Sequence, residues 1–317
     1  MEVLILIGLI FFFLLLLVKS AELVEGAFVF LARKIHISEF FIGFVVLSIV
    51  TSLPEISIAI LSSQEVPELA IGNLIGATTV LLTLVIGLSA VKYGKLEFKG
   101  KFSEKEVLIG IAIIASMIVV LLDRFISVAE GFLLLGSYGA YIIYLNQKFN
   151  YNNLKKHLSL NVKKLYRSIG SAGIGIVLLL ISSSMIVRFA SQLATILDIP
   201  PAIIGILLLA IGTNLPELTI LFISKNTKGD EALALGNFFG SACVNPGILG
   251  LLAILAGGVR ISNFVALVPA IAILCCTIIL FGIATWTGRK VTRLEGLLLI
   301  SLYLALIISE FIIIVRT

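Results

Sequence analysis

The sequence predicts an all-α integral membrane protein of ten transmembrane helices, arranged as two inverted five-helix repeats with broken core helices. Three observations predict it. Hydrophobic residues make up 60% of the 317-residue chain and charged residues only 13%, more apolar surface than soluble cores of this length can hide. Positive charge falls on alternate connections between the apolar segments. One acidic, proline-containing motif occurs twice, each time inside apolar sequence.

At about 20 apolar residues per crossing, spans fall near 3–32, 39–63, 68–91, 106–122 and 126–146, then near 168–196, 200–224, 231–257, 262–284 and 294–315. The first is read as a membrane helix and not a cleaved leader: Glu2 precedes it, no small-residue cleavage pattern follows, and apolar sequence resumes after Lys19. Residues 1–146 then form an N-terminal five-helix repeat and 168–317 a C-terminal one. The segment 147–167 between them is a basic cytoplasmic linker carrying Lys148, Lys155, Lys156, Lys163, Lys164 and Arg167 and no acid.

Charge orients the spans. Arg33 and Lys34 follow the first span, five lysines from Lys92 to Lys105 the third, the linker the fifth, Lys225 and Lys228 the seventh, and Arg289, Lys290 and Arg293 the ninth. The opposite face carries Glu65, Glu68, Asp123 and Asp198 beside only Arg124, Arg260 and Arg316. The positive-inside rule puts the basic loops in the cytoplasm and both termini outside. The net charge of +5 is therefore a topology signal, and no nucleic-acid partner is implied. Five crossings per half make the second half enter the membrane from the other side, which inverts it. Short loops and the lack of a targeting segment point to a prokaryotic plasma membrane.

The repeated motif reads Thr51-Ser52-Leu53-Pro54-Glu55 in one half and Thr213-Asn214-Leu215-Pro216-Glu217 in the other, an offset of 162 (213 less 51). Gly72-Asn73-Leu74-Ile75-Gly76-Ala77 and Gly236-Asn237-Phe238-Phe239-Gly240-Ser241 follow at an offset of 164 (236 less 72). Proline lacks an N–H and clashes with the carbonyl four residues earlier, so each motif should break its helix and turn carbonyls near Ser48–Thr51 and Ala210–Thr213 toward a cavity. Thr51, Ser52, Thr213 and Asn214 add neutral oxygens, and Glu55 and Glu217 add charge. Hard cations want oxygens of this kind, and two carboxylates balance one divalent ion, which favours Ca²⁺ over a lone Na⁺. The paired glycines permit close backbone approach. Asn73 and Asn237 are read as supports for carbonyls freed by the prolines, with cavity lining as the alternative.

These two Thr-Ser/Asn-Leu-Pro-Glu segments, with their Gly-Asn-x-x-Gly partners, resemble the paired α-repeats of the cation/Ca²⁺ antiporter superfamily, most of all its Na⁺/Ca²⁺ exchanger branch. The resemblance implies an ion-binding core of the second, third, seventh and eighth spans. It implies ligands at Thr51, Ser52 and Glu55, and at Thr213, Asn214, Glu217, Ser241 and Asn245, with backbone carbonyls of Ser48 and Ala210; Glu55, Glu217, Thr51 and Thr213 would hold the metal. The chain departs from the pattern at Ala77 and Leu81, where two oxygen ligands are replaced by apolar groups, and at Val50 in place of glycine. The expected function is secondary-active exchange of Ca²⁺ for Na⁺, with H⁺ coupling and a transport-silent ion-binding homologue as alternatives. The expected partners are these ions and membrane lipid, with no cofactor and no obligate protein partner.

Other polar residues have plainer readings. No nucleotide-binding motif and no catalytic Ser/His set stand at membrane depth, which excludes an ATP-driven pump and an intramembrane enzyme. Lys19, Glu22 and Glu25 share one face of the first span and are read as an internally paired or interfacial cluster. His36 and His157 are read as solvated loop residues, and Cys243, Cys275 and Cys276 as small apolar fillers.

Overall fold

The computed structural model describes residues 2–34, 45, 47–97, 104–149, 162–215, 217–218, 221, 230–288 and 290–316. The middle of the linker, His36, His157, Pro216, Lys225 and Lys228 lie outside them.

The chain is nearly all helical. The first half holds α1 (Glu2–Lys34), α2 (Leu47–Thr51), α3 (Leu53–Ser62), α4 (Pro67–Val80), a π-turn at Leu81–Val85, α5 (Ile86–Tyr93), α6 (Glu104–Val119) and α7 (Val128–Phe149). The second holds α8 (Val162–Leu197), α9 (Pro201–Ile204), a π-turn at Gly205–Leu209, α10 (Ala210–Thr213), α11 (Asp230–Ala256), a 3₁₀ turn at Phe264–Leu267, α12 (Val268–Gly288) and α13 (Arg293–Arg316). Among the described residues seven helical stretches are long and apolar enough to cross a membrane, and Leu53–Ser62 and Pro201–Thr213 are shorter apolar helices. The protein is an integral membrane protein. Two of the seven, Pro67–Tyr93 and Gly236–Ala256, are 83% buried within the protein and form its centre; the others turn apolar faces outward.

The halves interlock reciprocally. Strand β1 (Lys95–Glu97), after α5, pairs antiparallel with β4 (Lys290–Thr292), before α13. Strand β2 (Phe125–Ile126), before α7, pairs in the same sense with β3 (Val259–Arg260), after α11. Helix packing follows the same exchange. A Cβ on Gly87 of α5 would lie 2.7 Å from the Gly296 carbonyl oxygen on α13, and one on Gly131 of α7 would lie 2.8 Å from that of Gly250 on α11. Only glycine permits either contact.

Both β2–α7 and β4–α13 junctions carry the same capping box. The Glu130 carboxylate accepts from the backbone N–H and hydroxyl of Ser127 (2.8 and 2.7 Å), and Glu295 does the same for Thr292 (2.7 and 2.7 Å). Ser127-x-x-Glu130-Gly131 and Thr292-x-x-Glu295-Gly296 are thus a second duplicated motif, outside the acidic pair. A search for internal repeats beyond the prolines could have found it.

Candidate functional site

Each half reaches the protein centre through a broken helix, and the break has the same shape in both. Ser52, between α2 and α3, has φ −86° and ψ 8°; Asn214, at the end of α10, has φ −91° and ψ 11°. Downstream, the Ile56 N–H donates to the Ser52 carbonyl (3.0 Å) and the Leu218 N–H to that of Asn214 (3.1 Å). Pro54 occupies the first turn of α3, where a missing N–H costs least. The interruption is therefore one residue wide in the first half, narrower than a stretch of exposed carbonyls. The Ser48 carbonyl accepts from the Ser52 N–H (3.1 Å) and the Thr51 hydroxyl (3.3 Å), and the Ala210 carbonyl from the Asn214 amide (2.7 Å). A carbonyl retains a second lone pair beside one such bond.

Glycine brings the broken segments against their neighbours. A Cβ on Gly72 would fall 2.1 Å from the Ala202 carbonyl oxygen, and one on Gly205 would fall 2.3 Å from that of Leu69, so α4 and the α9–α10 segment touch backbone to backbone. Gly76 likewise faces Ala210, one helical turn before the second break.

This packing gathers the sequence-predicted residues from both halves. Ser48, Thr51, Ser52, Glu55, Ala210, Thr213, Asn214, Glu217, Ser241 and Asn245 are all buried, none more than 4% exposed. Glu55 and Glu217 stand close enough for their charges to interact, and the Thr213 hydroxyl lies beside the Glu55 carboxylate. The Thr51 and Ser241 hydroxyls lie 3.1 Å apart, and the Ser48 hydroxyl donates to the Asn237 backbone carbonyl (3.3 Å). The Asn245 amide donates to the Thr78 hydroxyl (2.9 Å), leaving its oxygen without a partner among the described residues. Oε2 of Glu55 is in the same state.

Asn73 and Asn237 favour the alternative reading given them above. Oδ1 of Asn73 is 3.4 Å from the Thr213 hydroxyl, and neither side-chain atom of Asn237 has a partner among the described residues. Both therefore line the polar centre. Ala77 and Leu81 are also buried there, contributing only carbon.

A buried oxygen without a donor costs about 1–3 kcal/mol, so a centre holding several of them is built for something that supplies positive charge. Among the described residues no three His, Cys, Asp or Glu side chains gather into a metal cluster. The donor set is two carboxylates with hydroxyls and amide oxygens, which suits hard cations better than transition metals.

Some polar residues were not singled out from sequence. Thr78 belongs to the centre through Asn245. The Ser57 and Ser183 hydroxyls, 2.5 Å apart, join α3 to α8. Glu310, on α13, is fully buried. The Lys19–Glu22 ion pair (2.8 Å) lies on the exposed face of α1, away from the centre.

The sequence profile of the sodium/calcium exchanger protein family matches residues 5–146 and 167–311. A membrane protein of Methanocaldococcus jannaschii is 30% identical over 291 residues, covering 88% of this chain and 89% of its own. The sodium/calcium exchanger MaX1 of Methanosarcina acetivorans is 27% identical over 350 residues, covering 94% and 98%. A solved structure of the sodium-calcium exchanger NCX_Mj superposes with a TM-score of 0.67 at 27% identity, over 97% of this chain and 99% of that one.

Proposed function

The chain belongs to the sodium/calcium exchanger protein family, and from that premise we propose that it is a secondary-active antiporter exchanging Ca²⁺ for Na⁺ by alternating access. Glu55 and Glu217, with Thr51 and Thr213, hold the divalent ion. Ser48, Ser52, Ala210, Asn214, Ser241 and Asn245 complete the oxygen set. The observation that carries this reading is the burial together of Glu55 of one half and Glu217 of the other, close enough for their charges to interact.

Electrostatics makes exchange the natural outcome. Two buried carboxylates stripped of their cation would leave uncompensated charge in a low-dielectric interior, at a cost of several kcal/mol per ion. The empty site therefore reorients poorly, and movement of Ca²⁺ one way requires monovalent cations to replace it for the return. In our reading the ten helical segments cross the membrane as two inverted fives, with the basic loops cytoplasmic and both termini outside a prokaryotic plasma membrane. The reciprocal β1–β4 and β2–β3 pairings and the twin capping boxes support that symmetry. Helices α1 and α8, packed along each other where Gly175 meets the Ser20 carbonyl, are the pair that slides over the core.

H⁺ coupling is a second reading, favoured by the apolar, buried Ala77 and Leu81. A carboxylate needs only one proton for neutrality, whereas Na⁺ needs several oxygens. The experiment is ⁴⁵Ca²⁺ uptake into proteoliposomes loaded with Na⁺, with K⁺ at matched pH, or with K⁺ and an acid interior. Uptake from Na⁺-loaded vesicles alone is expected. Uptake with the acid interior alone would assign H⁺ coupling. Uptake in neither would overturn exchange.

A further inference from the structure

The two halves hold their motif threonines by different means. Thr51 and Thr213 are counterparts at the offset of 162, and Asn73 and Ala77 match Asn237 and Ser241 at 164. The Thr51 hydroxyl lies 3.1 Å from that of Ser241 and 3.3 Å from the Ser48 carbonyl oxygen. Asn237 takes no part there, for neither of its side-chain atoms has a partner among the described residues. In the other half Ala77 offers no hydroxyl, and the Thr213 hydroxyl donates instead to Oδ1 of Asn73 (3.4 Å). Thr213, Asn73 and Ala77 are all fully buried.

The proton of Thr213 decides what its oxygen can do. A hydroxyl has one proton and two lone pairs, and a hydroxyl that ligates a cation must direct the proton away from it. At full burial that proton needs an acceptor within the protein, or the bound state strands a donor. Oδ1 of Asn73 is the acceptor the described residues give it. It is also firmly placed. A Cβ on Gly205 would lie 2.5 Å from the Asn73 backbone nitrogen, so the backbone at Asn73 rests directly on the α9–α10 segment that ends in Thr213.

We infer that Asn73 is a positioning residue of the ion site, standing in for the hydroxyl that Ala77 lacks: its amide oxygen takes the Thr213 proton, and the Thr213 oxygen then meets a bound cation with its lone pairs. The inference rests on the reading of Thr213 as an ion ligand. It gives the two matching asparagines different roles, Asn73 serving where the second half uses Ser241.

The test is calorimetric titration of the purified full chain with Ca²⁺. Asn73→Leu, which removes the acceptor at nearly constant size, is expected to weaken Ca²⁺ binding about fivefold, the scale of one hydrogen bond. Two further variants separate positioning from support of the fold. Ala77→Ser added to Asn73→Leu supplies a hydroxyl where the second half has Ser241, and should restore most of the affinity. Asn73→Leu added to Thr213→Ala should cost no more than Thr213→Ala alone, because Asn73 acts through that hydroxyl. If Asn73→Leu does not fold, Asn73→Ala carries the same comparisons. Wild-type affinity in the Asn73 variant, no recovery with the added serine, or additive losses with Thr213→Ala would overturn this inference and leave the proposed exchange standing. Wild type that binds no Ca²⁺ would overturn both.

Discussion

The Thr213 hydroxyl, at the end of α10, donates to Oδ1 of Asn73 on α4 (3.4 Å) and lies beside the Glu55 carboxylate on α3, so an oxygen of one half stands against the acid of the other. Removing that hydroxyl should take one oxygen from the site without removing charge from the centre. Thr213→Ala is expected to weaken apparent Ca²⁺ affinity by roughly tenfold, about 1.4 kcal/mol for one lost oxygen ligand. Glu55→Gln should abolish exchange, because one remaining carboxylate cannot balance a divalent ion. Measuring Ca²⁺-dependent uptake in both variants checks the pair; Thr213→Ala with wild-type affinity would remove Thr213 from the site.

The two halves are not equally furnished. Thr51 meets Ser241 at 3.1 Å, and the duplication places Thr213 opposite Ala77, which has no hydroxyl. Ala77→Ser should restore the second hydroxyl pair and steepen the Na⁺ dependence of exchange. An unchanged Na⁺ profile would show that the missing oxygen is immaterial to coupling.

Leu81 follows the same logic with a twist. Its counterpart Asn245 is held by Thr78, but the residue matching Thr78 in the second half is Ala242, also fully buried. Leu81→Asn alone would bury an amide without a partner, costing about 1–3 kcal/mol. We expect it to lower the melting temperature, and Leu81→Asn with Ala242→Thr to recover much of the loss. Equal melting temperatures for the single and double variants would sink the inferred pairing.

How much of this was legible in the sequence depended on whether a residue's role is local. The breaks at Ser52 and Asn214 were legible, because proline acts within its own helix. So were the buried acids, since a charge in apolar sequence is conspicuous. The state of the Ser48 and Ala210 carbonyls was not, because Thr51 and Asn214 fold back on them through side-chain rotamers that no pattern encodes. Nor was the burial of Asn237 without a side-chain partner among the described residues, which depends on the packing of α11 against α2 and α3. The hydrogen bonds of Glu106 were missed for a different reason: an acid near a span's end reads as an interfacial residue until Tyr141, Tyr144 and Lys148 are seen around it.

Ser57 and Ser183 join α3 to α8, with hydroxyls 2.5 Å apart. Each also reaches a carbonyl of its own helix, Pro54 at 2.9 Å and Leu179 at 2.7 Å, so either hydroxyl can turn home when the bridge opens. Breaking the bridge thus strands no donor, which would suit a contact that parts if α8 slides as proposed. Ser57→Ala and Ser183→Ala should each change the exchange rate by a few-fold, from about 1 kcal/mol of bias between states. The double variant should add nothing further if the two act only on each other. Additive effects in that double-mutant cycle would mean the hydroxyls act separately.

Glu310 poses the opposite case, a carboxyl that nothing among the described residues satisfies. It is fully buried on α13, and neither carboxylate oxygen has a hydrogen-bond partner among the described residues. The repeat gives no reason for it, since the residue at the offset relating Glu130 to Glu295 is Leu145. Burying a polar group without compensation costs stability, and replacing it by an apolar side chain of similar size removes that cost. Glu310→Leu is therefore expected to raise the melting temperature of the purified protein, by about 1–3 kcal/mol of stability, and to leave Ca²⁺ affinity unchanged. Glu310→Lys, which keeps an ionisable group at the same depth, should lower it. A Glu310→Leu protein that is less stable than wild type would mean that a lipid or water group satisfies the carboxyl in the membrane.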